Sequence, residues 1–136
     1  IYQKKISEHP ISNCNAVKVL PFIDRMDLFY AACDLIVSRA GALTLAELSL
    51  TGKPCILIPS PNVAEDHQRK NAEAFVENEA AIMIEEVDLN EAVWKNIMDL
   101  VENESKRMHM SEQLKKLSKP DAANEIARYI INAKTV

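Results

Sequence analysis

Ser38-Arg39-Ala40-Gly41-Ala42-Leu43-Thr44-Leu45-Ala46-Glu47 is the stretch whose residue types and spacing could do chemistry. The apolar run Leu35-Ile36-Val37 leads into it and a helical pattern, Leu43 to Leu50, leaves it. A strand that turns through glycine into a helix presents free backbone N–H groups and the positive end of the helix dipole. That arrangement suits phosphate. Ala40 and Ala42 are small enough to let an anion reach the backbone of Gly41, Ala42, Leu43 and Thr44. The Thr44 hydroxyl and the Arg39 guanidinium add a donor and a charge. Glu47 falls about one turn into the helix, and a carboxylate there can accept from both hydroxyls of a ribose. Each residue also has a plainer reading. A single glycine between strand and helix is common, Arg39 suits a surface ion pair, and Glu47 suits a solvated helix face.

A second polar cluster lies at Asn62 to Asn71. His67, Gln68 and Asn71 stand at i, i+1 and i+4 of a helix start, so Gln68 and Asn71 can face one cleft. Amides donate and accept, which suits sugar hydroxyls, although a capped surface helix would look the same. His67 could act as an acid or base, but no carboxylate–His–nucleophile arrangement is readable. His9 and His109 have no partner pattern.

The elements that must position these groups follow from the apolar pattern. Val17 to Phe22 alternates and predicts a strand ending near Pro21. Asp24 predicts a cap for a helix over Arg25–Cys33. Leu35–Ser38 and the Cys-Ile-Leu-Ile run between Pro54 and Pro59 predict short strands. Apolar runs without alternation belong to a parallel sheet covered by helices. Leu43–Thr51 predicts a helix closed by Gly52. Asp66 is the expected cap of a helix over His67–Asn78, and Ala81–Glu85 is a further strand. Asn90 is the expected cap of a helix over Glu91–Glu102, with Val93, Ile97, Leu100 and Val101 on one face. Helices over Ser105–Leu117 and after Asp121 complete the chain, the last with Ile126, Tyr129 and Ile130 as its stripe. Repeated strand–helix order predicts an α/β fold, a Rossmann-like parallel sheet flanked by helices. Ligands in such sheets bind outside the carboxyl ends of the strands, where Phe22–Asp24, Ser38–Ala42 and Ser60–Gln68 all fall.

Bulk properties narrow the function. A chain of 136 residues supports one domain with a core. The net charge of −4 argues against a general nucleic-acid surface. The odd set Cys14, Cys33 and Cys55 has no metal spacing and suits a reducing compartment. Lys106, Arg107, Lys115, Lys116 and Lys119 are interleaved with Glu102, Glu104 and Glu112, as on a solvated helix face.

Val19-Leu20-Pro21-Phe22-Ile23-Asp24-Arg25-Met26, then Ser38 to Glu47, then Pro59 followed by Glu65-Asp66-His67-Gln68 and Asn71-Ala72, carry a resemblance in order. From about Val17 to Tyr129 the chain resembles the carboxyl-terminal, donor-binding domain of the family 28 GT-B glycosyltransferases. That resemblance implies UDP-GlcNAc as donor and the lipid-linked MurNAc-pentapeptide of peptidoglycan synthesis (lipid I, converted to lipid II) as acceptor. It implies that the main chain of Ile23, with Phe22 beside it, meets the uracil. Gly41, Ala42, Leu43 and Thr44 would meet the diphosphate, and Glu47 the ribose. Gln68 and His67 would meet the GlcNAc, with Asn71 close by, although many relatives carry Gln in place of His67. Two neighbouring readings share the pattern: a GT-B enzyme for another glycolipid acceptor, and a non-catalytic nucleotide-binding domain. GT-B enzymes have two such domains. The expectation is therefore that residues 1–16 are an irregular remnant and residues 17–136 the donor domain. The first strand, with its glycine-rich loop, would precede Ile1. The acceptor site, the membrane-facing patch and the catalytic base would lie in the other domain, leaving no catalytic residue here. No cofactor or metal is expected, since the chain has no Asp-x-Asp motif. The location implied is cytoplasmic, peripheral on the inner face of the cell membrane.

Overall fold

Short apolar runs build the sheet. In a computed structural model, which describes residues 14–61 and 66–133, strands β1 (Ile36–Ser38), β2 (Cys55–Leu57) and β3 (Ile82–Met83) pair in parallel in the order β1-β2-β3. Ile36 pairs with Cys55, and Ile56 with Ile82. The ladder continues past the strands, with Ile58 N–H donating to Ser38 O and Ile84 N–H to Leu57 O. All three carboxyl ends therefore lie on one edge. The central strand is fully buried, as its lack of alternation requires.

Between the strands run α2 (Ala42–Thr51) and α3 (His67–Glu77); α4 (Leu89–Glu102), α5 (Glu104–Leu117) and α6 (Ala122–Ala133) follow β3. Helix α1 (Met26–Ala32) precedes the sheet. The chain divides into two compact units between Ala31 and Ala32. Within the second unit α2 packs on α5, and α4 contacts β2 and α5. Leu48, Ile56, Leu57, Leu100 and Leu114 are fully buried there. The Cys55 amide donates to Met110 Sδ at 3.3 Å, tying β2 to α5.

Local chemistry explains the helix ends. Gly52 closes α2 in the left-handed region at φ 64°, its N–H on Leu48 O, as the sequence predicts. Asn103 caps α5 by accepting from the Lys106 amide. Arg107 donates to Leu100 O and Val101 O, the last carbonyls of α4. Other expectations change. Residues 17–22 form no strand; Val17, Val19, Leu20 and Phe22 are exposed, so alternation alone found no ladder partner. Asp66 does not cap α3 through its side chain, because it sits at φ 57°. A 3-10 turn, Glu86–Asp88, starts α4 at Leu89 and places Asn90 inside the first turn rather than at its cap. The α6 stripe of Ile126, Tyr129 and Ile130 is present but exposed.

Candidate functional site

The turn from β1 to α2 is built by Arg39, Ala40 and Gly41. Ala40 is fully buried. Gly41 is the N-cap of α2 at φ −69° and ψ 144°, with no side chain capping the helix, and its carbonyl takes the Leu45 amide. The amides of Ala42, Leu43 and Thr44 therefore head the helix without an intrahelical acceptor. Gly41 needs no glycine-only backbone angle. A Cβ placed on it would meet only Thr44 Oγ1 among the described residues, at 3.7 Å, which is ordinary contact. Among the described residues the space that a side chain on Gly41 would enter is otherwise open. Thr44 is half-buried beside it, and Leu43 is 74% exposed at the rim. Glu47 is half-buried one turn further along α2.

The second cluster starts α3. His67 is exposed at its first residue and Gln68 and Asn71 are half-buried. Asn71 Nδ2 donates to Ala40 O at 3.2 Å, joining α3 to the glycine turn across 31 residues of sequence. Gln68 Oε1 accepts the Ser60 amide at 2.9 Å. That bond turns the Gln68 side-chain oxygen toward Ser60. Asn62, Val63, Ala64 and Glu65, also part of the expected sugar-facing loop, lie outside the described residues.

Arg39, expected near the diphosphate, is engaged at the strand ends. Its Nη1 donates to Glu86 Oε2 at 2.7 Å, to Pro59 O at 3.2 Å and to Ile58 O at 3.3 Å. The hydrogen bond from Arg39 holds the Glu86 carboxyl below its usual range. Arg69 on α3 is occupied by Glu73 and Glu85. Phe22 and Ile23 belong to the first unit, where Phe22 is 74% exposed and Ile23 half-buried just ahead of α1.

Sequence reasoning put Ser60 on this edge but gave it no partner, and it missed Glu86. The signal for Glu86 was available, since it follows an apolar strand of a parallel sheet and so returns to the edge where Gly41 lies. A larger cavity, ≈ 750 Å³, lies between the end of β3 and α4, lined by Met83, Glu85, Asp88, Glu91 and Lys95. It includes none of the residues that the sequence pattern singles out. Among the described residues no cluster of His, Cys, Asp and Glu could hold a metal ion. Nor is any helix among them long and apolar enough to cross a membrane.

A three-stranded parallel sheet flanked by helices, with a glycine turn opening a helix at its carboxyl edge, makes this a Rossmann-like α/β domain. The model of the glycosyltransferase family 28 C-terminal domain matches residues 2–126, and the chain belongs to that family. Over 122 residues it is 45% identical to the UDP-N-acetylglucosamine–N-acetylmuramyl-(pentapeptide) pyrophosphoryl-undecaprenol N-acetylglucosamine transferase of Flavobacterium psychrophilum, covering 90% of this chain and 33% of that protein. It is 46% identical over 136 residues to the protein of the same description from Porphyromonas gingivalis, covering 97% and 35%. The crystal structure of Acinetobacter baumannii MurG matches with a TM-score of 0.77 at 29% identity, over 85% of this chain and 33% of that one. The chain thus spans about a third of the length of these relatives.

Proposed function

We propose that this chain is the UDP-GlcNAc-binding domain of an inverting glycosyltransferase that converts lipid I to lipid II in peptidoglycan synthesis. What carries the proposal is the Asn71–Ala40 bond, which sets the amide-bearing start of α3 beside the glycine turn, within a family 28 domain. The relatives named above are described as transferring N-acetylglucosamine to a muramyl-pentapeptide lipid.

In this reading residues 17–136 act as the donor domain. Ile23 and Phe22 receive the uracil, Glu47 the ribose hydroxyls, and the amides of Gly41–Thr44 with the Thr44 hydroxyl the diphosphate. Gln68, Asn71 and His67 face the sugar. The 4-hydroxyl oxygen of the lipid-linked MurNAc attacks the anomeric carbon from the opposite face, and the bond from that carbon to the β-phosphate oxygen breaks. UDP leaves toward the start of α2, whose amides and dipole meet the charge that develops on it. The hydroxyl proton passes to a base on the acceptor side, outside the residues described here. The whole enzyme works as a peripheral protein at the inner face of the cell membrane.

Calorimetric titration of UDP and UDP-GlcNAc into the full-length protein tests this. Both bind, and Gln68→Ala weakens UDP-GlcNAc more than UDP. Equal losses for both ligands remove the sugar role of Gln68, and absence of UDP binding sinks the proposal.

A further inference from the structure

The three strand ends that carry the candidate site are held together by one cation. Arg39 follows β1, Ile58 and Pro59 follow β2, and Glu86 follows β3. Arg39 Nη1 lies within hydrogen-bonding distance of an acceptor after each of the other two strands: 3.3 Å from Ile58 O, 3.2 Å from Pro59 O and 2.7 Å from Glu86 Oε2. Two carbonyls and a carboxylate that converge on one point repel one another unless a cation lies between them. Pro59 has no N–H with which to offer an alternative.

From this point two short chains of bonds reach the ligand-facing groups. On one side Arg39 is bonded in sequence to Ala40, whose carbonyl takes Asn71 Nδ2 at 3.2 Å, and then to Gly41. On the other side Pro59 leads to Ser60, whose amide is accepted by Gln68 Oε1 at 2.9 Å. We propose that Arg39 is a positioning residue: with Glu86 as its anchor, its guanidinium sets the spacing between the glycine turn that takes the diphosphate and the Ser60–Gln68 contact that orients the sugar-reading amide. This rests on the UDP-GlcNAc reading above. A direct phosphate contact would instead require the guanidinium to leave the Glu86 carboxylate.

The two roles differ in sign at Glu86. A positioning role predicts that Glu86→Gln weakens binding, because the anchor is looser. A phosphate ligand restrained by Glu86 would be released by the same change and bind more tightly. UDP and UDP-GlcNAc are titrated calorimetrically into full-length wild type, Arg39→Met, Arg39→Lys, Glu86→Gln and the Arg39→Met/Glu86→Gln double variant. Titrations run well below each variant's melting temperature, so that a merely structural loss leaves affinity unchanged.

We expect Arg39→Met to lose about tenfold or more for UDP-GlcNAc, the scale of one loosened hydrogen-bonded contact at about 1.4 kcal/mol, and to lose less for UDP. Arg39→Lys restores most of the loss, since its ammonium offers three donors to the same acceptors. Glu86→Gln weakens both ligands, and the double variant is no worse than Arg39→Met alone. Wild-type affinity in the folded Arg39→Met variant overturns the proposal, as does tighter binding in Glu86→Gln. Should Arg39→Met fail to fold, Glu86→Gln still decides it by its sign, weaker binding supporting the positioning role and unchanged or tighter binding overturning it. Failure of wild type to bind UDP refutes the nucleotide reading itself, whereas wild-type binding with unaltered variants refutes only the role of Arg39.

Discussion

Gly41→Ala should separate stability from binding, because the fold does not require glycine there while the proposed diphosphate contact does. The backbone at φ −69° and ψ 144° is open to any residue, and the added methyl meets only Thr44 Oγ1 among the described residues, at 3.7 Å. Two opposing terms act on stability. Removing a glycine from the unfolded chain stabilises by about 0.4–1 kcal/mol where the native angles are compatible. Alanine is a poorer N-cap than glycine, by about 0.5–1 kcal/mol. The net change should stay within about 1 kcal/mol, read as the shift in a urea unfolding curve. On the proposed reading, a phosphate oxygen approaches the Ala42–Thr44 amides past Gly41, and the added methyl crowds that approach. Pushing the anion outward lengthens charge-assisted bonds that act near 2.7–2.9 Å. A loss of roughly ten- to a hundredfold in UDP affinity follows, about 1.4–2.8 kcal/mol, read by calorimetry on the same sample. Full UDP affinity in the alanine variant would refute the reasoning. So would destabilisation beyond about 2 kcal/mol, which would make Gly41 a requirement of the fold.

Gly52→Ala is the contrasting case. It forces a side chain into the left-handed region at φ 64° and sets its Cβ 2.5 Å from the flexible Lys115 side chain; a loss of about 1–2 kcal/mol is expected in the same urea assay, and an unchanged midpoint would contradict it. Glu47→Ala should cost UDP about 1–3 kcal/mol if it holds the ribose hydroxyls, with calorimetry against UDP as the check. Burial pushes the Cys55 thiol up to about 12. Exposed Cys14 should therefore react with a thiol reagent at neutral pH while Cys55 reacts only on unfolding. Because the folded thiol ionises later than the unfolded one, the contribution of Cys55 to stability is complete below the usual thiol range and is lost as pH rises toward 12. A Cys55→Ala variant should lack that alkaline decline.

The sequence alone determined the parallel sheet, since Cys55-Ile56-Leu57 is apolar on every face and only a covered central strand accepts that pattern. It determined the Gly52 helix stop and the glycine turn at the head of α2, because these depend on local backbone chemistry. Motif order in the chain was enough to indicate family 28. The alternation of residues 17–22 misled, because a strand exists only where a neighbour completes its ladder, and no local rule supplies one. Asp66 and Asn90 misled as caps because the surrounding chain decides both the backbone angles and the start of a helix: Asp66 sits in the left-handed region with no side-chain cap, and the helix at Asn90 begins one residue earlier, at Leu89. Tertiary structure alone decided the partners of the polar side chains. Asn71 finds Ala40 across 31 residues and Arg39 finds Glu86 across 47. Hydrogen bonds reach about 3 Å, so such pairings follow from which strand ends the parallel sheet sets side by side.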